Sequence, residues 1–308
     1  MSRYSIGIDL GGTNLRAAAI DENGNLLKKI SGSTPVTEGP EAVIADMVHA
    51  ARLLRDEFGR DGLAGIGAGV PGNIDMSAGV VVRWGNVPSF TGYPTRDELS
   101  KQLNTSVILE NDANAAAIGE HWMGAGRGMD DFILLTLGTG IGGGIIHDGN
   151  IVRGHIGMAG ELGHITVVPN GNPCGCGNRG CVEKHAAAPA IAAMAQLLRL
   201  GDNLSAQDVE VLAEKGDERA LTIWSSMGEH LGIALAILIN IFNARMYLIG
   251  GGVSGAWPYF APAMLAEIER RSMTYRLTKA STHIERATLG GEAGLYGAAR
   301  LPLLGNAI

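Results

Sequence analysis

All three cysteines of this 308-residue chain, Cys174, Cys176 and Cys181, stand within eight positions of one another, and His164 lies ten residues before the first. Three thiolates and one imidazole form a complete tetrahedral set for zinc, and a set with no open position is structural rather than catalytic. Other uses of the cluster stay open at this level: a disulfide with a spare thiol, a Cys174–Cys176 redox pair, which the one-residue gap disfavours, or no function at all. Two carboxylates flank the cluster. Glu161 sits three residues before His164 and Glu183 two after Cys181, so a bound metal would fix both in space. Structural zinc is worth on the order of 10 kcal/mol, enough to pin a glycine-rich loop with almost no core of its own.

Two glycine turns offer a different chemistry. In "DLGGTN" the carboxylate of Asp9 ends a strand, and Gly11, Gly12 and Thr13 follow. Backbone N–H groups there can face a phosphate, the Thr13 hydroxyl adds a donor, and Asp9 suits a magnesium ion or its water. The second turn, Gly138–Gly144, holds five glycines and Thr139, with Gly138, Thr139 and Gly140 leading it. A glycine hairpin is often only a hairpin; two at matching places would grip a polyphosphate from both sides. A third run, "IGGGVSG", places Gly251 and Gly252 at a strand-to-helix junction, where they serve either close approach to a nucleoside or tight helix–sheet packing. Neither G-x-x-x-x-G-K-[ST] nor an opening G-x-G-x-x-G occurs.

Periodic patterns define the elements that must hold these groups. Strands are expected at Tyr4–Asp9, Leu15–Ile20, Leu26–Ser33, Leu63–Val70 and Val107–Leu109. Helices are expected over Pro40–Phe58, with Val43, Ile44, Met47, Ala50, Ala51 and Leu54 on one stripe, and over Asn111–His121. The pattern then restarts: strands at Phe132–Leu137 and Gly144–His147, a helix over Glu218–Phe242, a strand at Met246–Ile249, a helix after Pro258, a short strand at His283–Arg286 and a last helix from Glu292. The halves read as a divergent repeat of a β-β-β-α-β-α unit. Pro88–Thr91 and Asn170–Asn178 read as loops.

Composition narrows the function classes. Hydrophobic residues at 46% with 18% charged describe a globular chain with a substantial core. Glycine, at 46 residues, is about twice its usual share. The net charge of −7 and the lack of a basic cluster argue against nucleic-acid binding. The chain opens directly on a strand, so neither a signal peptide nor an upstream DNA-binding domain is expected. The apolar run Gly232–Phe242 is too short to cross a bilayer. A cytoplasmic location with no membrane partner follows, and in that reducing compartment a structural disulfide is disfavoured.

The motifs "DLGGTN" (9–14), "GVPG" (69–72), "LENDANAAAIGE" (109–120), "LGTGIGGG" (137–144), "GELGH" (160–164), "CGCGNRGCVE" (174–183) and "GGGVS" (250–254), in this order and spacing, resemble the ROK family of bacterial sugar kinases and repressors. The likeness runs from about Tyr4 to Arg300, and H-x9-C-x-C-x4-C is its most specific part. It implies an α/β, actin-like ATPase fold on ribonuclease H-like cores: two lobes around a cleft. Residues 1–112 with 295–308 would form the small N-terminal lobe, and 113–294 the large lobe with the zinc loop. It implies ATP, magnesium and structural zinc as cofactors, with zinc on His164, Cys174, Cys176 and Cys181, and a hexose as substrate. The nearest likeness within the family is to glucokinases of glycolysis, acting on the 6-hydroxyl of D-glucose. Other hexoses, among them N-acetylmannosamine, N-acetylglucosamine, fructose, mannose and allose, are alternatives, as is a sugar-responsive regulator.

The resemblance also assigns roles residue by residue. Asp112, in "ENDAN", matches the catalytic base, although a residue there could equally be a helix N-cap. Gly72, Asn86, Asn111, Glu161, His164 and Glu183 match sugar contacts. Asp9, Gly11, Gly12 and Thr13 fall on one side of the nucleotide phosphates, Gly138, Thr139 and Gly140 on the other, and Gly251 and Gly252 near adenosine. A homodimer is common in the family. Lys184 and His185, directly after Glu183, receive no role.

Overall fold

In the computed structural model, which describes residues 3–85 and 87–304, the chain forms two compact units. The first comprises residues 1–130, 144–160 and 291–308, the second residues 131–143 and 161–290. In the first, strands β1 (Tyr4–Leu10), β2 (Asn14–Asp21), β3 (Leu26–Ser33), β4 (Leu63–Val70) and β7 (Val107–Asn111) form a sheet in the order β3-β2-β1-β4-β7. β1 pairs antiparallel with β2 and parallel with β4. Every residue of β1 is buried, so both of its faces need cover. Helix α1 (Pro40–Phe58) covers one with the expected stripe, Val43 to Leu54. A hairpin of β5 (Asn73–Asp75) and β6 (Val80–Arg83), then helix α2 (Thr95–Leu103), fill the stretch between β4 and β7. That stretch gave no pattern in the sequence beyond the Pro88–Thr91 loop, which is a single 3-10 turn over Pro88–Phe90.

Helix α3 (Asp112–Met123) follows β7, and the last helix, α10 (Ala293–Arg300), packs against it. The approach is backbone to backbone. A methyl on Gly297 would lie 1.6 Å from the Ala115 carbonyl, and one on Gly119 2.1 Å from that of Ala293. Gly7 of β1 and Gly67 of β4 admit the Leu295 and Ala298 carbonyls of α10 in the same way. Part of the glycine excess therefore serves packing rather than ligands. This close seat places α3 in the first unit, whereas the sequence reading put the boundary at residue 112.

The second unit carries β8 (Phe132–Leu137), β11 (Met246–Gly250) and β12 (His283–Arg286), all parallel. The sheet order is β10-β9-β8-β11-β12, where β9 spans Ile141–His147 and β10 Asn150–Ile151. The two sheets share one strand order, as an internal repeat requires. β9 begins at Ile141, so the second glycine turn is confined to Gly138–Gly140, and Gly142–Gly144 belong to the strand.

Around this sheet lie α4 (Glu183–Ala186), α5 (Ala188–Leu197), α6 (Ala206–Glu214), α7 (Glu218–Phe242), α8 (Trp257–Arg271) and α9 (Met273–Thr278). At 25 residues α7 is long and apolar enough, by length and composition alone, to cross a membrane. Its stripe from Ala220 to Ile239 is buried, and it packs along α8, which is the behaviour of a core helix. Gly228 and Gly232 let the α8 backbone approach.

Candidate active site

The cysteine segment folds as a knuckle in the second unit. Isolated bridges join Thr166 to Cys181 and Pro173 to Arg179, and the Cys174 N–H donates to the Asn178 carbonyl at 2.9 Å. The ligand atoms of His164, Cys174, Cys176 and Cys181 all lie within 4.8 Å of one another. Cys176 Sγ and Cys181 Sγ are 3.7 Å apart, and His164 Nδ1 is 3.6 Å from Cys174 Sγ. Zn–S bonds of about 2.3 Å at tetrahedral angles put sulfurs about 3.8 Å apart, so the edges fit that ion. All three thiols are free, and a disulfide would need sulfurs about 2.0 Å apart. Burial and the neighbouring thiols push Cys181 up to about 12. A cation loading this set must therefore displace protons, which makes its affinity fall with acidity.

The cluster orients its two flanking carboxylates. His164 turns Nδ1 to the sulfurs, and its Nε2 lies 3.7 Å from Glu161 Oε2. A carboxylate behind a ligating imidazole fixes its tautomer and orientation. A further ligand at Nε2 would have to share it with Glu161. Glu183, first residue of α4, reaches the glycine turn. Its Oε2 accepts the Ile141 N–H at 3.3 Å, and its Oε1 is 3.2 Å from Lys184 Nζ. A methyl on Gly140 would lie 2.7 Å from Glu183 Oε2, so the carboxylate rests against this glycine. The Ala188 N–H donates to the Gly138 carbonyl at 2.9 Å. Thus the segment just past the last cysteine clasps the turn at both ends. A carboxylate has about four lone-pair sites, and Glu183 retains acceptor capacity for hydroxyl groups.

In the first unit the turn after β1 is held differently. The Gly11 N–H donates to the Asn14 carbonyl at 2.8 Å, and the Thr34 hydroxyl donates to the Gly11 carbonyl at 2.9 Å. Gly12 and Thr13 are exposed, and a methyl on Gly12 would meet nothing within 4 Å. Asp9 is 7% exposed, with Arg16 Nη2 at 3.1 Å from Oδ2. Burial holds its carboxyl above the ordinary range, and Arg16 opposes that shift. A hard carboxylate beside exposed backbone donors suits magnesium, which takes one or two carboxylates plus substrate phosphates. Arg16, which also donates to the Gly291 carbonyl, was not singled out in the sequence. Its position opposite Asp9 in the β1–β2 register could have shown it.

Asp112 opens α3, but the cap is Asn111, whose Oδ1 accepts the N–H groups of Ala113 and Asn114 at 2.9 and 3.1 Å. The N-cap alternative for Asp112 therefore fails. Asn111 Nδ2 donates to the Gly72 carbonyl at 3.0 Å. Gly72 has φ +94°, and a methyl there would strike the Arg83 carbonyl at 2.3 Å. Asn111 and Gly72 thus brace each other, and one amide hydrogen of Asn111 is left to reach a ligand. Beneath them Glu110, 0% exposed, takes Arg153 Nε at 2.8 Å and Asn114 Nδ2 at 3.0 Å. This buried ion pair was not foreseen.

The third glycine run divides. Gly251 has φ +81°, and a methyl there would lie 2.3 Å from the Leu137 carbonyl, so the turn packs closely on β8. Gly252 meets nothing within 4 Å, and neither does Gly138. Asn86 lies outside the described residues. The structure thus brings Asp9, Gly11, Gly12, Thr13, Gly72, Asn111 and Asp112 into the first unit. Gly138, Thr139, Gly140, Glu161, His164, the cysteines, Glu183, Gly251 and Gly252 fall in the second.

Comparison with known proteins adds to this geometry. The model of the ROK family matches residues 5–303. The glucokinase of Halalkalibacterium halodurans is 38% identical over 313 residues, covering 96% of this chain and 93% of that protein. A ROK hexokinase structure from Thermus thermophilus superposes with a TM-score of 0.84 at 36% identity, covering 98% of each chain. A ROK family glucokinase from Streptomyces griseus, solved with glucose and AMPPNP, gives 0.83 at 33% identity, covering 98% of this chain and 100% of that one.

Proposed function

The chain belongs to the ROK family, and from that premise we propose that it transfers the γ-phosphoryl group of ATP to the 6-hydroxyl of D-glucose, giving glucose 6-phosphate and ADP. Its fold is the actin-like ATPase fold, and it is a sugar kinase. The observation that carries the substrate reading is the contact of Glu183 with Gly140 and Ile141: one carboxylate belongs at once to the cysteine knuckle and to a glycine turn.

Asp112 is the base. As the O6–P bond forms and the bond from P to the β-phosphate oxygen breaks, the hydroxyl proton passes to its carboxylate. A helix N-terminus stabilises the anion and weakens it as a base. The loose transition state of phosphoryl transfer tolerates this, because little proton removal is needed early. Glu161, His164, Glu183, Asn111 and Gly72 position the sugar, and Asn86 joins them by its match to the family. Each charge-assisted hydrogen bond of this kind contributes roughly 1.5–3 kcal/mol. Asp9, Gly11, Gly12, Thr13, Gly138, Thr139 and Gly140 receive the phosphates, with Gly252 and the Gly251 turn nearer adenosine. Magnesium on Asp9 would neutralise phosphate charge. Zinc on His164, Cys174, Cys176 and Cys181 would hold Glu161 and Glu183 in place.

The enzyme acts in the cytoplasm as a homodimer. The apolar side chains of Ile241 and Phe242 at the end of α7, and of Met273 and Leu277 on α9, are exposed and supply a surface for a second copy. A coupled assay of ATP consumption over a hexose panel tests the function. Consumption should require an added hexose, with the highest kcat/KM for D-glucose. Hexose-independent hydrolysis, or a higher kcat/KM for another hexose, would contradict it.

A further inference from the structure

The glycines assigned above to the adenosine end, Gly251 and Gly252, offer backbone only. The one hydroxyl of that turn is spent within it: Ser254 Oγ donates to the Gly251 carbonyl at 2.7 Å, and the Ser254 N–H reaches the same oxygen at 3.1 Å. A side chain that could hold the nucleoside must therefore come from another element of the second unit.

Helix α6 brings Glu210 there. A methyl on Gly255, in the 3-10 turn Gly252–Ala256, would lie 3.2 Å from Glu210 Oε1 and 3.5 Å from Oε2, so both carboxylate oxygens rest against this turn. The helix that carries them is well anchored: Ser205 and Asp208 close a capping box at its start, and Val209 and Ala213 are buried. Glu210 is half-buried, and among the described residues it makes no hydrogen bond or ion pair. Burial holds its carboxyl above the ordinary range; Glu214 adds to that shift and Arg286 opposes it. A carboxylate drawn partly out of water without a donor is costly, and an ionised one can only accept hydrogen bonds. The group it suits is one that brings donors.

Given the kinase reading, on which this assignment rests, we propose that Glu210 binds the ribose of ATP, its two carboxylate oxygens accepting hydrogen bonds from the 2′- and 3′-hydroxyls. A vicinal diol presents two O–H donors side by side, one for each oxygen, whereas the adenine amino group presents both of its hydrogens from a single nitrogen. An acidic side chain near a glycine-rich strand-to-helix turn meets a ribose in the same manner in dinucleotide-binding folds.

Isothermal titration of the full chain with ADP, 2′-deoxy-ADP and GDP tests the assignment without turnover. The parent should bind ADP about fivefold or more tighter than 2′-deoxy-ADP. Glu210→Ala should bring the two within about twofold of each other, by weakening ADP and leaving 2′-deoxy-ADP nearly as before, with the melting temperature held. Should that variant fail to fold, Glu210→Gln should narrow the ratio instead. Equal binding of ADP and 2′-deoxy-ADP by the parent would overturn the proposal. So would a ratio that persists in Glu210→Ala or Glu210→Gln, a loss in both nucleotides alike, or a variant that loses only its discrimination between ADP and GDP. Hexose-dependent ATP consumption is scored separately: its absence overturns the kinase reading, while the nucleotide ratio decides the role of Glu210.

Discussion

The two glycine turns, Asp9–Asn14 in the first unit and Leu137–Ile141 in the second, end matching strands of two sheets with one strand order. Their supports differ. The first turn is held locally: Asp9 pairs with Arg16 across the β1–β2 hairpin, and Thr34 of the neighbouring segment closes it. The second is held from a distance in sequence, by Glu183 and Ala188 more than 40 residues later. That later segment directly follows the histidine–cysteine knuckle. A repeated backbone is thus supported by an ion pair in one half and by a segment that follows a cluster of one histidine and three cysteines in the other.

Breaking the knuckle should have the largest consequence. Cys181→Ser removes a fully buried ligand and puts at risk a metal contribution on the order of 10 kcal/mol. The variant should lose metal, melt far below the parent and lose kinase activity, as read by metal analysis and calorimetry. Asp112→Asn is the counterpart in the first unit. Because Asn111 is the cap, the melting temperature should hold while kcat falls by roughly 10²–10⁴. Arg16→Met strips the local support of the first turn. KM for MgATP should rise by about tenfold, with KM for glucose little changed. Lys184→Met tests the weaker clamp on Glu183. That pair is partly exposed, so KM for glucose should rise by only about two- to fivefold, and Lys184→Arg should restore it.

The smallest effect concerns pH. Burial, and then the stacked His230 ring at 4.7 Å, hold His185 below its ordinary value. The unfolded chain takes up a proton there more readily than the folded one. The associated stability is therefore present above about pH 6.5 and lost as pH falls through the folded value. The fall in melting temperature between neutral and mildly acidic pH should be shallower in His185→Asn than in the parent.

Much of this was legible in the sequence because it is local. The stripe of α1, the strands around each turn and the spacing of His164 with the cysteines are set by neighbours in the chain. What was hidden depends on partners far apart. Gly119 and Gly297 fall inside expected helices, and nothing in the sequence told that they admit carbonyls of facing helices. Gly251 stood open between nucleoside approach and tight packing, and its close contact with the Leu137 carbonyl could not be read from the chain. The capping role of Asn111 could not be told from that of Asp112, since both types cap helices well. Glu110 with Arg153, separated by 43 positions, left no periodic trace.

The central claim is that a metal on His164 and the three cysteines holds Glu183 against the second turn for catalysis. Zinc content and glucose-kinase kcat/KM, measured together on the purified protein before and after chelation, test it most directly. The account predicts stoichiometric zinc, with activity lost on its removal and regained on its return. Zinc-free protein phosphorylating glucose at full rate would contradict it.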